Sequence, residues 1–210
     1  MLHPLIYNPD EITAQSFRII EEKLGGRPFP PPLWPIIRQV IHATADFEFA
    51  DLLKFHPRAI EAGIAAIRAG QDLLVDVRMV EVGINQSLLR PFGGKVHCFI
   101  SEGDVQNMAK SEGITRSMAA MRKAVLFGPV VFVIGTAPTA LLELLRLVQD
   151  KKVHPSLIIG VPVGFVSTVE SKEALTRLTS VPWIITSGPK GGSSVAVAIV
   201  NALLRMATEG

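Results

Sequence analysis

Arg38 and His42 stand four residues apart in a segment whose apolar side chains, Leu33, Ile37, Val40 and Ile41, recur at helical spacing. On a helix an i, i+4 pair shares a face, and here that face lies opposite the apolar stripe. His42 is therefore not a core histidine. Its imidazole, with a free pKa of about 6.5, can give or take a proton near neutrality. The small residues Ala43, Thr44 and Ala45 would let a bulky ligand approach it. A solvated histidine is the bland alternative, and spacing alone leaves both open.

Further chemistry gathers in the glycine- and proline-rich stretches that follow apolar runs. Asp76-Val77-Arg78-Met79 leads to Gly83-Ile84-Asn85; then come Gly135-Thr136-Ala137-Pro138-Thr139, Pro162-Val163-Gly164-Phe165, and Ser187-Gly188-Pro189-Lys190-Gly191-Gly192-Ser193-Ser194. Free amides at helix starts favour anions, whereas small residues can equally serve tight turns alone. Two adjacent glycines, Gly191 and Gly192, permit positive φ and close backbone approach, and Ser193 is placed to cap the next helix. Arg116 falls in the first turn of a helix, where a cation is disfavoured unless an anion answers it. None of these stretches is a P-loop, a G-x-G-x-x-G turn, a G-x-S-x-G elbow or an H-E-x-x-H site. His3, His56, His97 and His154 are scattered without helical ligand spacing, so no metal site is expected. The single Cys98 excludes a disulfide framework and fits a reducing cytoplasm.

The elements that must position these groups follow from hydrophobic period. Asn8-Pro9-Asp10-Glu11 reads as a capped helix start that runs to Gly25-Gly26. The His42 helix comes next, and a third places Ile60, Ile64 and Ile67 on one face before Gly70. Beyond residue 70 five short apolar runs, 73–77, 96–100, 130–134, 157–161 and 183–186, alternate with helical segments at 115–124, 139–148, 167–178 and 193–206. Ser167 with Glu170 reads as a capping box. This alternation predicts a mostly parallel five-stranded sheet covered on both faces, an α/β sandwich with an N-terminal helical extension. The uncharged stretch 124–142 is punctuated by Gly128-Pro129, Gly135 and Pro138, and reads as loop, buried strand and helix rather than a membrane span. The 210 residues form one domain in this reading, with 1–70 mainly helical and 71–210 doubly wound. A formal charge of +2 is too small for a protein that coats nucleic acid. Met1-Leu2-His3-Pro4 lacks the pattern of an export signal.

Taken together, these residues resemble the precorrin-8X methylmutase family, also called cobalt-precorrin-8 methylmutase. The matching blocks are Gln15-Ser16-Phe17, Arg38-Gln39-Val40-Ile41-His42-Ala43, Met79-Val80 with Gly83-Ile84, Thr115-Arg116-Ser117, and Ala137-Pro138-Thr139-Ala140-Leu141. Pro162-Val163-Gly164-Phe165-Val166 with Glu170-Ser171-Lys172, and Gly191-Gly192-Ser193 with Asn201-Ala202-Leu203, complete the series in the family's order. The resemblance implies a flavodoxin-like three-layer α/β/α sandwich and a cytoplasmic homodimer with sites near the subunit interface. It implies an isomerase that moves a methyl group from ring carbon eleven to ring carbon twelve of a corrinoid, with no nucleotide, flavin or metal cofactor. His42 maps onto the family's catalytic histidine. Ser16, Arg38, Asn85, Arg116, Thr136, Ala137, Lys190, Gly191, Gly192 and Ser193 map onto the substrate-binding side. Two positions depart from the family pattern: Thr136 replaces an asparagine, and Pro189 followed by Lys190 replaces an arginine. Lys190 could supply the missing cation, though not a bidentate fork. A corrinoid carrier without turnover, or a flavodoxin-like nucleotide or phosphate binder, are the alternative classes.

Overall fold

Val130-Val131-Phe132-Val133-Ile134 is the most apolar of the runs, and every one of its residues is buried. Alternation sends Val131 and Val133 to one face of a sheet and Val130, Phe132 and Ile134 to the other, each into a separate apolar cluster. A strand buried on both faces has no polar side to show, which is why it reads as a continuous run.

The computed structural model describes residues 7–209; the readings at Met1-Leu2-His3-Pro4 lie outside the described residues. Six strands form one sheet: β1 (Leu53–Phe55), β2 (Leu73–Val75), β3 (Val96–His97), β4 (Val130–Ile134), β5 (Pro155–Gly160) and β6 (Trp183–Thr186). Their order is β1-β6-β5-β4-β2-β3. The helices are α1 (Pro9–Lys23), α2 (Trp34–Thr44), α3 (Phe49–Leu52), α4 (Ala59–Arg68), α5 (Arg78–Gly83), α6 (Gln86–Leu89), α7 (Gly103–Glu112), α8 (Arg116–Arg122), α9 (Pro138–Gln149), α10 (Thr168–Thr176) and α11 (Ser193–Glu209). One face of the sheet is covered by buried side chains of α2, α4, α5 and α11, and the other by those of α7 to α10. Among the described residues no helix is long and apolar enough to cross a membrane.

The five expected strands are all present and mutually parallel. Taken alone they run second, first, third, fourth, fifth, the flavodoxin-like order. The sheet has six strands, not five. β1 pairs antiparallel with β6, setting Leu53 opposite Thr186 and Phe55 opposite Ile184. Leu-Lys-Phe is too short to carry a period, and its ladder comes from a partner some 130 residues away. β2 and β3 are also shorter than the runs that announced them. β2 ends at Val75, although the Asp76 amide still donates to Val133 O at 3.2 Å. β3 is an edge strand of two residues.

Asn8 caps α1 as expected, its Oδ1 accepting from the amides of Asp10 at 2.9 Å and Glu11 at 3.4 Å. The capping box at Ser167 does not form. Ser167 has a φ of 58°, and its side chain makes no capping bond. In that left-handed conformation it lacks the extended backbone from which a capping hydroxyl reaches the following amides. The short helices α3, α5 and α6 and the weakly amphipathic α7 were not expected from the pattern.

Candidate functional site

The order of the parallel strands reverses between β2 and β4, so the crevice of a doubly wound sheet opens beyond their carboxyl ends. Asp76 stands there, fully buried, directly after β2. Its Oδ1 accepts from the amide of Gly135 at 3.0 Å, and its Oδ2 from those of Thr136 at 2.7 Å and Ala137 at 2.8 Å. Burial raises the carboxyl pKa, while the three amides oppose that rise by stabilising the anion. The turn from β4 into α9 is therefore wrapped around an internal carboxylate. Gly135 is required by proximity: a Cβ there would lie 2.8 Å from Val80 Cγ2 and 3.1 Å from Ser193 Cα. Thr136 Oγ1 meets Ser193 Oγ at 2.8 Å, joining this turn to the start of α11.

This arrangement corrects two expectations. The amides of Thr136 and Ala137 are not free for an external anion, because Asp76 already takes them. Ser193 does not cap α11. It is the first residue of the helix, its hydroxyl is turned to Thr136, and the Gly192 carbonyl accepts the first helical bond from Ala196.

The second turn, from β6 into α11, is held as tightly. A Cβ on Gly191 would lie 2.3 Å from the Val161 carbonyl oxygen, and Gly192 has a φ of 120°, so both positions require glycine. The Gly192 amide donates to Val161 O at 2.9 Å and is likewise unavailable to an external anion. Lys190 Nζ lies 2.6 Å from Asp46 Oδ2 and 3.0 Å from Glu48 Oε2. These acids raise the Lys190 pKa, its bond to Asp46 foremost, and the Lys190 ammonium in turn lowers that of Asp46. Lys190, expected to offer a cation to substrate, is thus ion-paired within the chain to two carboxylates. Beneath the turn Lys172 is buried. Its Nζ donates to Thr186 Oγ1 at 3.2 Å and to Lys190 O at 2.9 Å, and burial lowers its pKa to about 8.

The helical side of the site is more open. On α2, Ile36, Ile37, Val40 and Ile41 are buried and His42 is exposed, as the wheel required. The Phe17 ring meets His42 edge-on with centroids 5.4 Å apart. Ser16 Oγ donates to Ile12 O at 2.8 Å. Arg38 is half-buried, 4.0 Å over the Phe17 ring and 3.4 Å from Glu21 Oε1. Two residues past the end of α2 comes Asp46, so the Lys190–Asp46 pair ties the His42 helix to the Gly191-Gly192 turn.

Asn85 and Arg116 lie on other elements, at the starts of α6 and α8. Asn85 caps α6 and is anchored to α11 by its amide, 2.8 Å from Asn201 Oδ1. Arg116 is exposed in the first turn of α8 and makes no ion pair among the described residues. Thr115 Oγ1, at the same helix end, donates to Thr139 Oγ1 at 3.1 Å in the first turn of α9. That bond brings Arg116 alongside the turn held by Asp76. Among the described residues no three His, Cys, Asp or Glu side chains converge as metal ligands would. Sequence reasoning quoted Asp76 and Lys172 among its motifs but gave neither a role, and it did not single out Asp46 or Glu48. Asp76 carried a local sign, an acid inside an otherwise apolar run.

A family model described as Precorrin-8X methylmutase matches residues 11–206. A Cobalt-precorrin-8 methylmutase from Priestia megaterium is 47% identical over 208 residues, covering 99% of this chain and 92% of that protein. One from Methanocaldococcus jannaschii is 50% identical over 191 residues, covering 90% and 87%. Among solved structures, the precorrin-8X methylmutase from Thermus thermophilus aligns with a TM-score of 0.85 at 41% identity, covering 95% of this chain and 98% of that one.

Proposed function

The chain belongs to the precorrin-8X methylmutase family, and from that premise we propose how its site performs the family's reaction. The protein is an isomerase of cobalamin biosynthesis acting on precorrin-8 or its cobalt form. In our reading the macrocycle lies across the carboxyl edge of the sheet, between the α2 face bearing His42 and the turns at 135–137 and 191–193. His42 delivers a proton to the conjugated ring. The protonated ring is electron-poor, which eases migration of the methyl group: its bond to ring carbon eleven breaks as the bond to ring carbon twelve forms. The proton then leaves, so the product is an isomer and no oxidant or group donor is consumed.

The observation that carries this reading is the placement of His42, an exposed imidazole whose helix is tied by Asp46 and Lys190 to the Gly191-Gly192 turn. The amides of both turns also bear on the alternatives. Four of them are already satisfied inside the chain, which disfavours a phosphate cradle. Recognition of the peripheral carboxylates falls instead to side chains. Arg116, exposed at the start of α8, is one such cation, with Arg38, Ser16 and Asn85 on other elements.

A homodimer also belongs to this reading. Phe165 is 97% exposed and Val166 83%, and Met79 and Val82 on α5 are exposed as well. Large apolar groups left in water mark surfaces that another chain covers. Light scattering at micromolar concentration should give twice the chain mass. The function itself is tested by absorbance after adding the corrinoid substrate to wild-type protein. Turnover gives a new visible band from the longer conjugated chromophore. A bound chromophore with an unchanged spectrum would replace the isomerase with a carrier.

A further inference from the structure

Lys172 is the only buried cation among the described residues, and it makes no ion pair there. Glu143, a buried acid elsewhere in the fold, is answered by Arg122 and Arg146. An ammonium taken out of water without a carboxylate is costly, and the pKa near 8 registers that cost. An unbranched apolar side chain such as methionine would fill similar space without it. Fold stability therefore does not account for the charge.

The bonds of the ammonium do account for it. Nζ donates to Thr186 Oγ1, at the end of β6, and to Lys190 O; Thr186 Oγ1 itself donates to Lys190 O at 2.7 Å. Two donors thus converge on the carbonyl that immediately precedes Gly191. The following residue has little room to adjust, because a Cβ on Gly191 would lie 2.3 Å from the Val161 carbonyl oxygen and 2.8 Å from that of Pro162. From the same residue the Lys190 side chain runs out to Asp46, at the end of the His42 helix. One polar chain therefore passes from α10, beneath the turn, to the helix that carries the histidine.

We propose that Lys172 is a positioning residue for corrinoid binding: its ammonium holds the Lys190 carbonyl, and through that peptide sets the Gly191-Gly192 wall and its spacing from the His42 helix. This rests on the methylmutase reading, in which that wall meets the macrocycle.

The test is Lys172→Met in the full chain, assayed beside wild type. The denaturation midpoint should hold or rise, because an unpaired buried charge is removed. Kd for the corrinoid product and KM should each rise about tenfold, the order expected for losing a charge-assisted hydrogen bond, with a smaller change in kcat. Hydrogen exchange at the amides of Ser187, Gly188 and Gly191 should quicken, while β4 and β5 keep their protection. Thr186→Val, nearly isosteric, cuts the same brace at its other atom and should raise KM in the same direction by less. If wild type neither binds nor converts the corrinoid, the functional reading fails and this inference with it. If wild type turns over and a folded Lys172→Met matches its KM and Kd, the positioning role alone is overturned. A lowered midpoint with no KM change in Thr186→Val would assign Lys172 to stability and equally overturn it. Should Lys172→Met not fold, Thr186→Val decides by itself: an unchanged KM there refutes the brace.

Discussion

The two sides of the crevice are built on opposite principles. The α1–α2 side presents exposed or half-buried groups on helices whose stability comes from a different face: His42 points outward while Ile37, Val40 and Ile41 hold α2 to the core. The loop side consists of turns whose amides are taken by internal acceptors and whose shape depends on buried ions, Asp76 under one turn and Lys172 under the other. A helix separates its chemical face from its packed face, so function there can change without the fold. A strand-to-helix turn has no such division, because one backbone must both fold and form the wall.

The largest expected effect tests the helical side. His42→Ala should lower the single-turnover rate by about a hundredfold to ten-thousandfold, as loss of general acid–base assistance does, with the unfolding midpoint unchanged. A folded variant that still turns over at the wild-type rate would remove His42 from the mechanism.

On the loop side, Asp76→Ala leaves three amides without their acceptor. It should cost about 3 kcal/mol of stability in chemical denaturation, together with loss of substrate affinity. A variant as stable as wild type would show that water replaces the carboxylate and that the turn stands without it.

Lys172 offers a sign test in pH. Its folded pKa, near 8, lies below the unfolded lysine value of 10.5. Between those values the unfolded chain holds more protons, so stability attributable to this group rises with pH and the penalty is greatest below 8. Wild type should gain roughly 2–3 kcal/mol more than Lys172→Met on going from pH 7.5 to 10.5. Parallel curves for the two proteins would contradict the buried-charge account.

Gly192→Ala should cost about 1–3 kcal/mol, because its φ of 120° strains any residue with a Cβ. The space itself is adequate, since the new methyl would meet Val163 alone, Cγ1 at 3.7 Å and Cβ at 4.0 Å. Affinity for the corrinoid product should fall beyond the stability loss if the turn is a wall. Calorimetric titration of a folded variant with undiminished affinity would reduce it to a turn. The smallest effect is reserved for Arg116→Ala, exposed and unpaired. KM should rise about tenfold while kcat and midpoint stay near wild type, the signature of uniform binding. A large kcat loss at constant KM would give Arg116 a different role.

Much of this architecture was legible in the chain itself. Runs such as 130–134 announce strands covered on both faces, and the helical period of α2 placed His42 outside the core before any contact was known. Asn8 with Pro9 marked a helix start through a bond that closes within three residues. In each case the physical signal is local, the side-chain direction at a fixed repeat or a cap reaching its own next turn.

Only the tertiary structure decided what joins to what. The edge strand β1 exists because β6 offers it a ladder. Asp76 takes amides 59 to 61 residues further on, and Asp46 neutralises Lys190 across 144 residues. The local pattern at Ser167 even pointed the wrong way, since the left-handed backbone set by the incoming turn overrides the capping preference of a serine. A period reports which face a residue occupies. Which distant group waits on that face depends on how the loops close and on how the helices seat against the sheet, and neither is written in the spacing of the residues.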